Sequence, residues 1–193
     1  LLGEFNLQNL VAATAVLLGL GVTVDAIAEA IPKLKPVPGR MECLRSADGV
    51  LAVIDYAHTP DALEKVLKAL RPITAGKLRC VMGCGGDRDR SKRPLMGSIA
   101  ESFSDAVVVT NDNPRSESAT AIIADICAGM RSAPVVISER DSAIATAIAA
   151  AEPGDVVLVA GKGHEEYQEI AGRRLPFSDI QCARLALAAR PSL

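Results

Sequence analysis

The pattern of apolar positions changes near residue 40. Across residues 6–31, apolar side chains recur at helical spacing, which predicts two helices. Gly19 and Gly21 separate them, and Thr23 is a suitable N-cap for the second. Residues 32–39 then carry three prolines, so we expect no helix there and interpret this segment as a linker. A domain boundary is therefore predicted within it.

Beyond the linker, short apolar runs alternate with helical patterns. The predicted strands are residues 51–55, 78–82, 106–110, 135–137 and 156–160. The predicted helices are residues 60–70, 94–103, 119–130, 141–151 and 178–189. Continuous runs rich in Val and Ile are typical of strands buried on both faces of a parallel sheet. The alternation predicts an α/β fold, with a Rossmann-like, mainly parallel sheet flanked by helices.

Composition narrows the classes of function. Of the 193 residues, 49% are apolar and 23% are charged, as in soluble globular proteins. The net charge of -2 comes without a basic stripe, which argues against nucleic-acid binding. No apolar run approaches the ~20 residues that span a bilayer, so we expect no membrane association. The five cysteines lack a zinc-site pattern, which favours reduced thiols in a cytoplasmic protein.

Four polar loops follow predicted strands: residues 55–61, 83–94, 111–115 and 161–166. The carboxyl ends of parallel strands lie along one edge of a sheet, where ligands bind in open α/β folds. We therefore expect glycines, acids, amides, histidines and cationic side chains around one crevice.

The second of these loops is rich in glycine and then in charge. Gly83, Gly85 and Gly86 permit close backbone approach, and the cationic side chains after them suit carboxylates or phosphates. The Walker A pattern occurs nowhere in the chain, and Arg88 takes the third glycine position of a dinucleotide-binding fingerprint. An ordinary solvated turn is the alternative interpretation.

The third loop carries a more specific signal. Pro114 stiffens the turn, so that Asn113 and Arg115 project from a rigid support. An amide beside a guanidinium suits a ligand that bears both an ammonium and a carboxylate; a plain strand-to-helix turn is the alternative. His58 and His164, the only histidines, lie in loops near carboxylates and are expected to form ordinary hydrogen bonds, not a metal site.

The loop residues resemble those of the Mur ligase family. Residues 112–115, with the sequence Asp-Asn-Pro-Arg, resemble the diaminopimelate-recognition motif of the members that add the third residue of the peptidoglycan stem. Other segments resemble the family in the same order along the chain: residues 3–9 with 12–13, 38–42, 55–63, 83–89, 92–94 and 161–165. The resemblance covers essentially the whole chain.

The resemblance implies a domain organisation and a reaction. Residues 1–32 would be the helical end of a central ATP-binding domain, residues 33–39 a hinge, and residues 40–193 the carboxy-terminal, amino-acid-binding domain. ATP would phosphorylate the terminal carboxylate of UDP-MurNAc-L-Ala-D-Glu, with Mg²⁺ bridging the phosphates. The amine of meso-diaminopimelate would then attack the acyl phosphate.

The resemblance also implies roles for particular residues. Those expected at the ATP site are Asn6, Asn9, Arg40, Asp55, Tyr56 and His58. Those expected to bind meso-diaminopimelate are Arg88, Asp112, Asn113, Arg115, Gly161 and Glu165. No catalytic residue and no metal ligand is assigned within the chain.

Diaminopimelate differs from lysine by one carboxylate, which Arg88 and Arg115 would pair. Lysine would leave both cations without a counter-ion, so we predict the diaminopimelate-adding type. The alternatives are a lysine-adding member, a member that adds D-Glu or D-Ala-D-Ala, and a non-catalytic nucleotide- or amino-acid-binding module. Because the chain begins at Leu1 and has no Walker A loop, we expect it to be part of a longer protein, to be inactive alone and to need its own preceding domains as partners.

Overall fold

The computed structural model describes residues 3–34 and 36–190. The chain divides into two compact units, Leu1–Val37 and Pro38–Leu193. The division falls inside the segment expected to be a linker. No described helix is long and apolar enough to cross a membrane.

The first unit contains the two predicted helices, α1 (Glu4–Gly19) and α2 (Val24–Ala30). Thr23 caps α2, because its side chain accepts a hydrogen bond from the Ala26 N–H. The prediction that residues 32–39 contain no helix is wrong at the start of that segment. Ile31–Lys33 form a 3₁₀ turn with proline at its beginning. Proline fits there because the first turn of a helix needs no donor from that residue.

The second unit is built on a six-stranded sheet in the order β1-β2-β6-β3-β4-β5. Its strands are β1 (Glu42–Arg45), β2 (Leu51–Asp55), β3 (Leu78–Met82), β4 (Ala106–Val109), β5 (Val135–Val136) and β6 (Val156–Ala160). All neighbours are parallel except β1 and β2. The predicted α/β fold with a mainly parallel sheet is therefore confirmed.

Helices cover the sheet in two groups. They are α3 (Pro60–Leu70), α4 (Lys92–Phe103), α5 (Ala119–Cys127), α6 (Arg140–Ala149) and α7 (Asp179–Ala188). α4 packs between α3 and α5, whereas α6 packs against α7. Alternate strand residues such as Ala52 and Ile54 join Ile144 and Ile148 of α6 in one apolar cluster. The interior is thus made of aliphatic side chains, as expected for a chain without tryptophan.

The sequence pattern located the buried strands better than the polar ones. β2, β3 and β6 have the predicted bounds, while β4 and β5 each end one residue early. β1 was not predicted, nor was the antiparallel hairpin of β7 (Tyr167–Ile170) and β8 (Arg173–Pro176). These strands are short and partly or wholly exposed, so they lack a continuous apolar run.

The strand order explains why the polar loops meet. The chain runs from β2 through α3 to β3, but β6 lies between these two strands and pairs in parallel with both. The loops after β2, β6, β3 and β4 therefore follow neighbouring strands at the carboxyl edge of the sheet. This is the place where open α/β sheets form a ligand-binding crevice.

Candidate functional site

A cleft of about 390 Å³ opens at this edge of the sheet. All six residues predicted to bind the amino acid line it, together with Tyr56 and His58 from the predicted nucleotide set. The other lining residues are Thr59, Gly83, Cys84, Gly85, Asp89 and Lys92. The predicted convergence of the four strand-end loops is therefore present in the structure.

The loop that carries Arg115 is held by the β7–β8 hairpin. The Arg115 N–H donates to the Glu169 carbonyl at 3.0 Å, and the Ala171 N–H donates to the Arg115 carbonyl at 2.8 Å. Arg115 itself has a positive φ of 53°, which is uncommon for a residue with a side chain. Two backbone hydrogen bonds from a neighbouring strand stabilise this conformation and aim the guanidinium at the glycine-rich loop.

The glycine-rich loop and the Arg115 loop interlock. The Gly86 N–H donates to the Asn113 carbonyl at 2.8 Å, and the Arg115 guanidinium donates back to the Gly86 carbonyl at 2.7 Å. A Cβ at position 86 would lie 2.0 Å from the Pro114 carbonyl oxygen. Glycine is therefore required at this position by close backbone approach.

Arg93 supports the glycine-rich loop from beneath. Its guanidinium is fully buried, is paired with Glu117 at 2.7 Å and Asp125 at 2.9 Å, and donates to the Gly85 carbonyl. Glu117 also accepts from the Asp87 N–H at 2.6 Å. The Arg93 hydrogen bonds lower the pKa of Glu117 to about 2. From the sequence, Arg93 was expected only to be one of the cationic side chains of this loop; in the structure its guanidinium is internal.

Arg88 differs from Arg93 in its surroundings. Its side chain is exposed at the cleft and donates to the Asp87 carbonyl at 3.0 Å. The Arg115 side chain is partly exposed at the same cleft, and its Nε lies 3.7 Å from the Glu169 carboxylate. Two guanidinium groups thus reach one cleft, and each keeps N–H donors that make no hydrogen bond within the described structure. Each can therefore bind a carboxylate through two parallel hydrogen bonds.

A buried polar cluster lies behind the cleft, and Lys162 is at its centre. The Lys162 side chain is fully buried, with Nζ 2.7 Å from Asn113 Oδ1, 3.2 Å from Glu165 Oε2 and 3.7 Å from Asp112 Oδ1. From the sequence, Lys162 lies within the family-like segment 161–165, but no role was predicted for it. The available signal was a lysine between two glycines directly after the fully buried strand β6.

Gly161 allows the acidic side of this cluster to approach the backbone. Its φ is +123°, and a Cβ there would lie 2.5 Å from Asp112 Oδ2. Asp112 is itself held by Gln168 of β7, whose amide donates to the Asp112 carbonyl at 2.7 Å. The carboxylates of Asp112 and Glu165 therefore face the same cleft as the two arginines.

The loop after β2 gives the other end of the cleft an aromatic and cationic surface. The Arg40 guanidinium lies 4.8 Å from the Tyr56 ring centroid, and His58 and His164 lie 4.6 and 5.7 Å from the same centroid. Lys92 donates to the His58 carbonyl at 2.8 Å. Flat rings beside cationic side chains suit the base and phosphates of a nucleotide.

Asp55 lies beneath this surface and is not open to the cleft. Its carboxylate accepts hydrogen bonds from the Met41 and Ala57 N–H groups, both at 2.8 Å. Burial raises its pKa above the ordinary value for an aspartate. The described contacts show Asp55 holding the backbone beside Arg40, and its contact with ATP stays a prediction.

Two predicted nucleotide residues, Asn6 and Asn9, lie on α1 in the first unit. Their contact with ATP stays a prediction. Among the described residues, no group of three or more His, Cys, Asp or Glu side chains is arranged to hold a metal ion.

Comparison with known proteins identifies relatives along the whole chain. A sequence profile described as Mur ligase, glutamate ligase domain, matches residues 39–163. The chain is 58% identical over 191 residues to a protein of Pseudomonas aeruginosa named UDP-N-acetylmuramoyl-L-alanyl-D-glutamate--2,6-diaminopimelate ligase. It is 57% identical over 191 residues to the protein of that name from Pseudomonas syringae pv. tomato. Each alignment covers 98% of this chain but only 39% of the relative.

A solved structure of a protein with the same name is also similar. It superposes with a TM-score of 0.78 at 45% sequence identity, over 98% of this chain and 39% of that one. The chain therefore spans about two fifths of the length of the relatives that it matches.

Proposed function

Because the chain belongs to the Mur ligase family, we propose that it provides the amino-acid site and one wall of the ATP site of a peptidoglycan ligase. The complete protein would join meso-diaminopimelate to UDP-MurNAc-L-Ala-D-Glu in the cytoplasm. One observation carries the proposal: Arg88, Arg115, Asp112 and Glu165 line one cleft. Two cations and two carboxylates in one cleft match an amino-acid centre that bears both charges.

In this proposal, the distal end of diaminopimelate is bound by both sets of charges. Arg88, Asn113 and Arg115 bind its carboxylate, while Glu165, Asp112 and the backbone of Gly161 bind its ammonium. Lysine has the distal ammonium but not the distal carboxylate, so Arg88 would have no carboxylate partner in the cleft and Arg115 would keep only Glu169. The cost of an unpaired charged group favours diaminopimelate over lysine.

The proposed reaction proceeds in two steps. The terminal carboxylate of the UDP-linked dipeptide attacks the γ-phosphorus of ATP, which releases ADP and leaves an acyl phosphate. The free amine of diaminopimelate then attacks the acyl carbon, and inorganic phosphate leaves as the amide bond forms. The residues of this chain orient the amine at the acyl carbon, because distal charges held at fixed points restrict where the reacting end lies.

On the nucleotide side, we assign Tyr56 and His58 to the base and sugar, and Arg40 to the phosphates, with Asp55 holding their backbone in place. Asn6 and Asn9 remain proposed contacts from the first unit. ATP would be accompanied by Mg²⁺, which supplies charge neutralisation between the phosphates. We assign the ligands of that ion mainly to the central domain that would partner this chain, as the family resemblance implies.

The proposal is tested by ligation with the complete polypeptide that carries this chain. It is incubated with ATP, Mg²⁺, UDP-MurNAc-L-Ala-D-Glu and either meso-diaminopimelate or L-lysine, and released phosphate and the UDP-linked tripeptide are measured. We expect product only with meso-diaminopimelate. Comparable kcat/KM for L-lysine would favour the lysine-adding type, and no ligation with either would favour a non-catalytic binding module.

An arginine variant makes the same test specific to the cleft. Arg88→Gln should raise the KM for meso-diaminopimelate by roughly 10- to 100-fold, because removing one partner of a carboxylate costs about 1.5–3 kcal/mol. The KM for ATP should stay the same, since Arg88 bonds only to the Asp87 carbonyl within the described structure. Lys65→Gln, on the exposed face of α3, is the matched control and should change neither constant.

A further inference from the structure

The ammonium of Lys162 is buried and has no function in the scheme above. Its side chain has no exposed surface, and the Tyr167 ring lies 5.7 Å from Nζ on the hairpin side. Lysine is almost never fully buried unless its charge is paired. Here the pairing groups, Asp112, Asn113 and Glu165, all line the cleft.

From these contacts we infer that Lys162 is a positioning residue for the amino-acid site. Together with the Glu169 N–H it holds the oxygen of the Asn113 amide, and together with that amide it occupies one oxygen of Glu165 and leaves the other for the ammonium of the substrate. The inference rests on the proposed function for the identity of the substrate. It does not rest on it for the arrangement of the side chains.

The orientation of the Asn113 amide follows from donors alone. Its Oδ1 position faces Lys162 Nζ at 2.7 Å and the Glu169 N–H at 2.9 Å. Both of these groups can only donate, so the atom between them must be the amide oxygen. The NH₂ group is thereby directed at Glu165, to which Nδ2 donates at 2.9 Å. Its second N–H remains available to an acceptor in the cleft.

The same ammonium divides the two oxygens of Glu165. Oε2 accepts from Asn113 Nδ2 and from Lys162 Nζ. Oε1 receives no hydrogen bond within the described part of the chain. A ligand ammonium would therefore be accepted at Oε1, at a point set by the two hydrogen bonds on Oε2.

The charges of the cluster agree with the different roles of the two Glu165 oxygens. One positive charge on Lys162 faces two negative charges, on Asp112 and Glu165. The cluster keeps one excess negative charge, which a single ligand ammonium neutralises. Without Lys162 the two carboxylates would repel each other, and the Glu169 N–H would be the one described donor left on the Asn113 oxygen.

The first test removes only the ammonium. Lys162→Met keeps a straight apolar stem, and Arg79→Met is the matched control, because Arg79 pairs with Asp155 at 3.0 Å near the start of β3, away from the cleft. In the complete polypeptide, Lys162→Met should raise the KM for meso-diaminopimelate at least about 10-fold and leave the KM for ATP within about twofold. Arg79→Met should lower Tm without changing either constant.

A second measurement needs no substrate. In the chain of residues 1–193, the side-chain amide protons of Asn113 are followed by hydrogen exchange in NMR spectra. They should exchange at least about 10-fold faster in Lys162→Met than in the wild type, since the amide loses one of its fixed partners. If Lys162→Met does not fold, Lys162→Gln replaces it, because a neutral donor of similar length keeps one hydrogen bond and should give a smaller change in the same direction.

The outcomes separate the two proposals. A wild-type protein that does not use meso-diaminopimelate contradicts the proposed function, whereas the exchange of Asn113 still tests the role of Lys162. The inference is overturned if Asn113 exchanges at the same rate in the variant. It is also overturned if the KM values for ATP and diaminopimelate rise together, or rise no more than in Arg79→Met, because Lys162 would then support only the fold.

Discussion

Single residues at the cleft are set by close contacts that tolerate little change. Gly86 is the sharpest case, because it donates to Asn113 and accepts from Arg115 while the Pro114 carbonyl occupies the space of a Cβ. Three different interactions meet at one residue without a side chain. The geometry of the two loops therefore depends on this position.

We predict that Gly86→Ala separates the two loops. The new Cβ would overlap the Pro114 carbonyl, so the free energy of unfolding should fall by roughly 1–3 kcal/mol, as for other overpacked sites. Urea denaturation measures this value. Gly19→Ala is the control, because nothing lies within 4 Å of its Cβ position; as a helix residue it should leave stability unchanged or raise it by up to about 1 kcal/mol. Equal effects of the two substitutions would contradict the prediction.

Residue types in the loops were predictable, but their contacts were not. The spacing of Asn113 and Arg115 after a buried strand indicated a charged crevice, and both line the cleft. The burial of Asp55 and the central place of Lys162 did not follow from the pattern. Each depends on residues far away in sequence, such as Met41 for the first and Asn113 for the second.

At the scale of elements, the sequence pattern missed β1 and the β7–β8 hairpin, and the hairpin matters more for the cleft. Its strands are polar, and its turn is Ala171–Gly172 in place of the Asn-Gly or Asp-Gly pairs that mark such turns. Both turn residues have positive φ, 49° and 74°. The hairpin nevertheless holds the Arg115 loop through contacts from three residues, Gln168, Glu169 and Ala171.

The positive φ of Ala171 predicts opposite changes in the free energy of unfolding for two substitutions. Asn adopts positive φ more readily than Ala, so Ala171→Asn should raise the free energy of unfolding by about 0.5–1 kcal/mol. Ala171→Val should lower it by about 1 kcal/mol, because a β-branched side chain is strained there. The Ala171 N–H keeps its bond to Arg115 in both variants. Urea denaturation of both variants measures these changes. A change of the same sign in both would contradict the positive φ assigned to Ala171.

The buried strands and the helices were predictable because they obey simple periods. β2, β3, β6 and α3 have the predicted bounds, since continuous apolar runs and a capped amphipathic stripe define them. α5 ends at Cys127, three residues before its predicted end at Met130. Gly129 follows, where a Cβ would lie 1.8 Å from the Pro94 carbonyl oxygen, so packing against α4 accompanies the end of this helix.

At the scale of the whole molecule, the sheet order was beyond the sequence pattern. The alternation of strands and helices predicts parallel neighbours but not that β6 lies between β2 and β3. That insertion brings the loop with Gly161, Lys162 and Glu165 between the other polar loops. The residue types of the cleft could be predicted from the sequence. The contacts of each side chain could not, because they depend on the order of the strands.

Carboxylates that join distant segments make the stability of the molecule depend on pH. The pKa of Glu101 is lowered to about 2 by the Arg131 and Ser132 N–H groups, and that of Glu117 is lowered to about 2 by Arg93. The pKa of Asp48 is also lowered to about 2, by Arg190 and Ser46. A carboxylate whose pKa is lower in the folded state stabilises that state above its unfolded pKa, and this stabilisation is lost as pH falls towards the folded value.

We therefore predict that the urea midpoint stays nearly constant between pH 7 and about pH 5 and then falls steadily towards about pH 2. Asp55, whose pKa is raised by burial, acts in the opposite direction, so it reduces the fall without reversing it. Glu101→Gln removes one of these titrating groups and should make the acid limb shallower. Its stability at pH 7 should also be lower, because the amide has a single acceptor oxygen and can accept from Arg131 or from Ser132 but not from both. A midpoint that rises between pH 5 and pH 3, or an acid limb of equal steepness in the variant, would show that these carboxylates do not control acid unfolding.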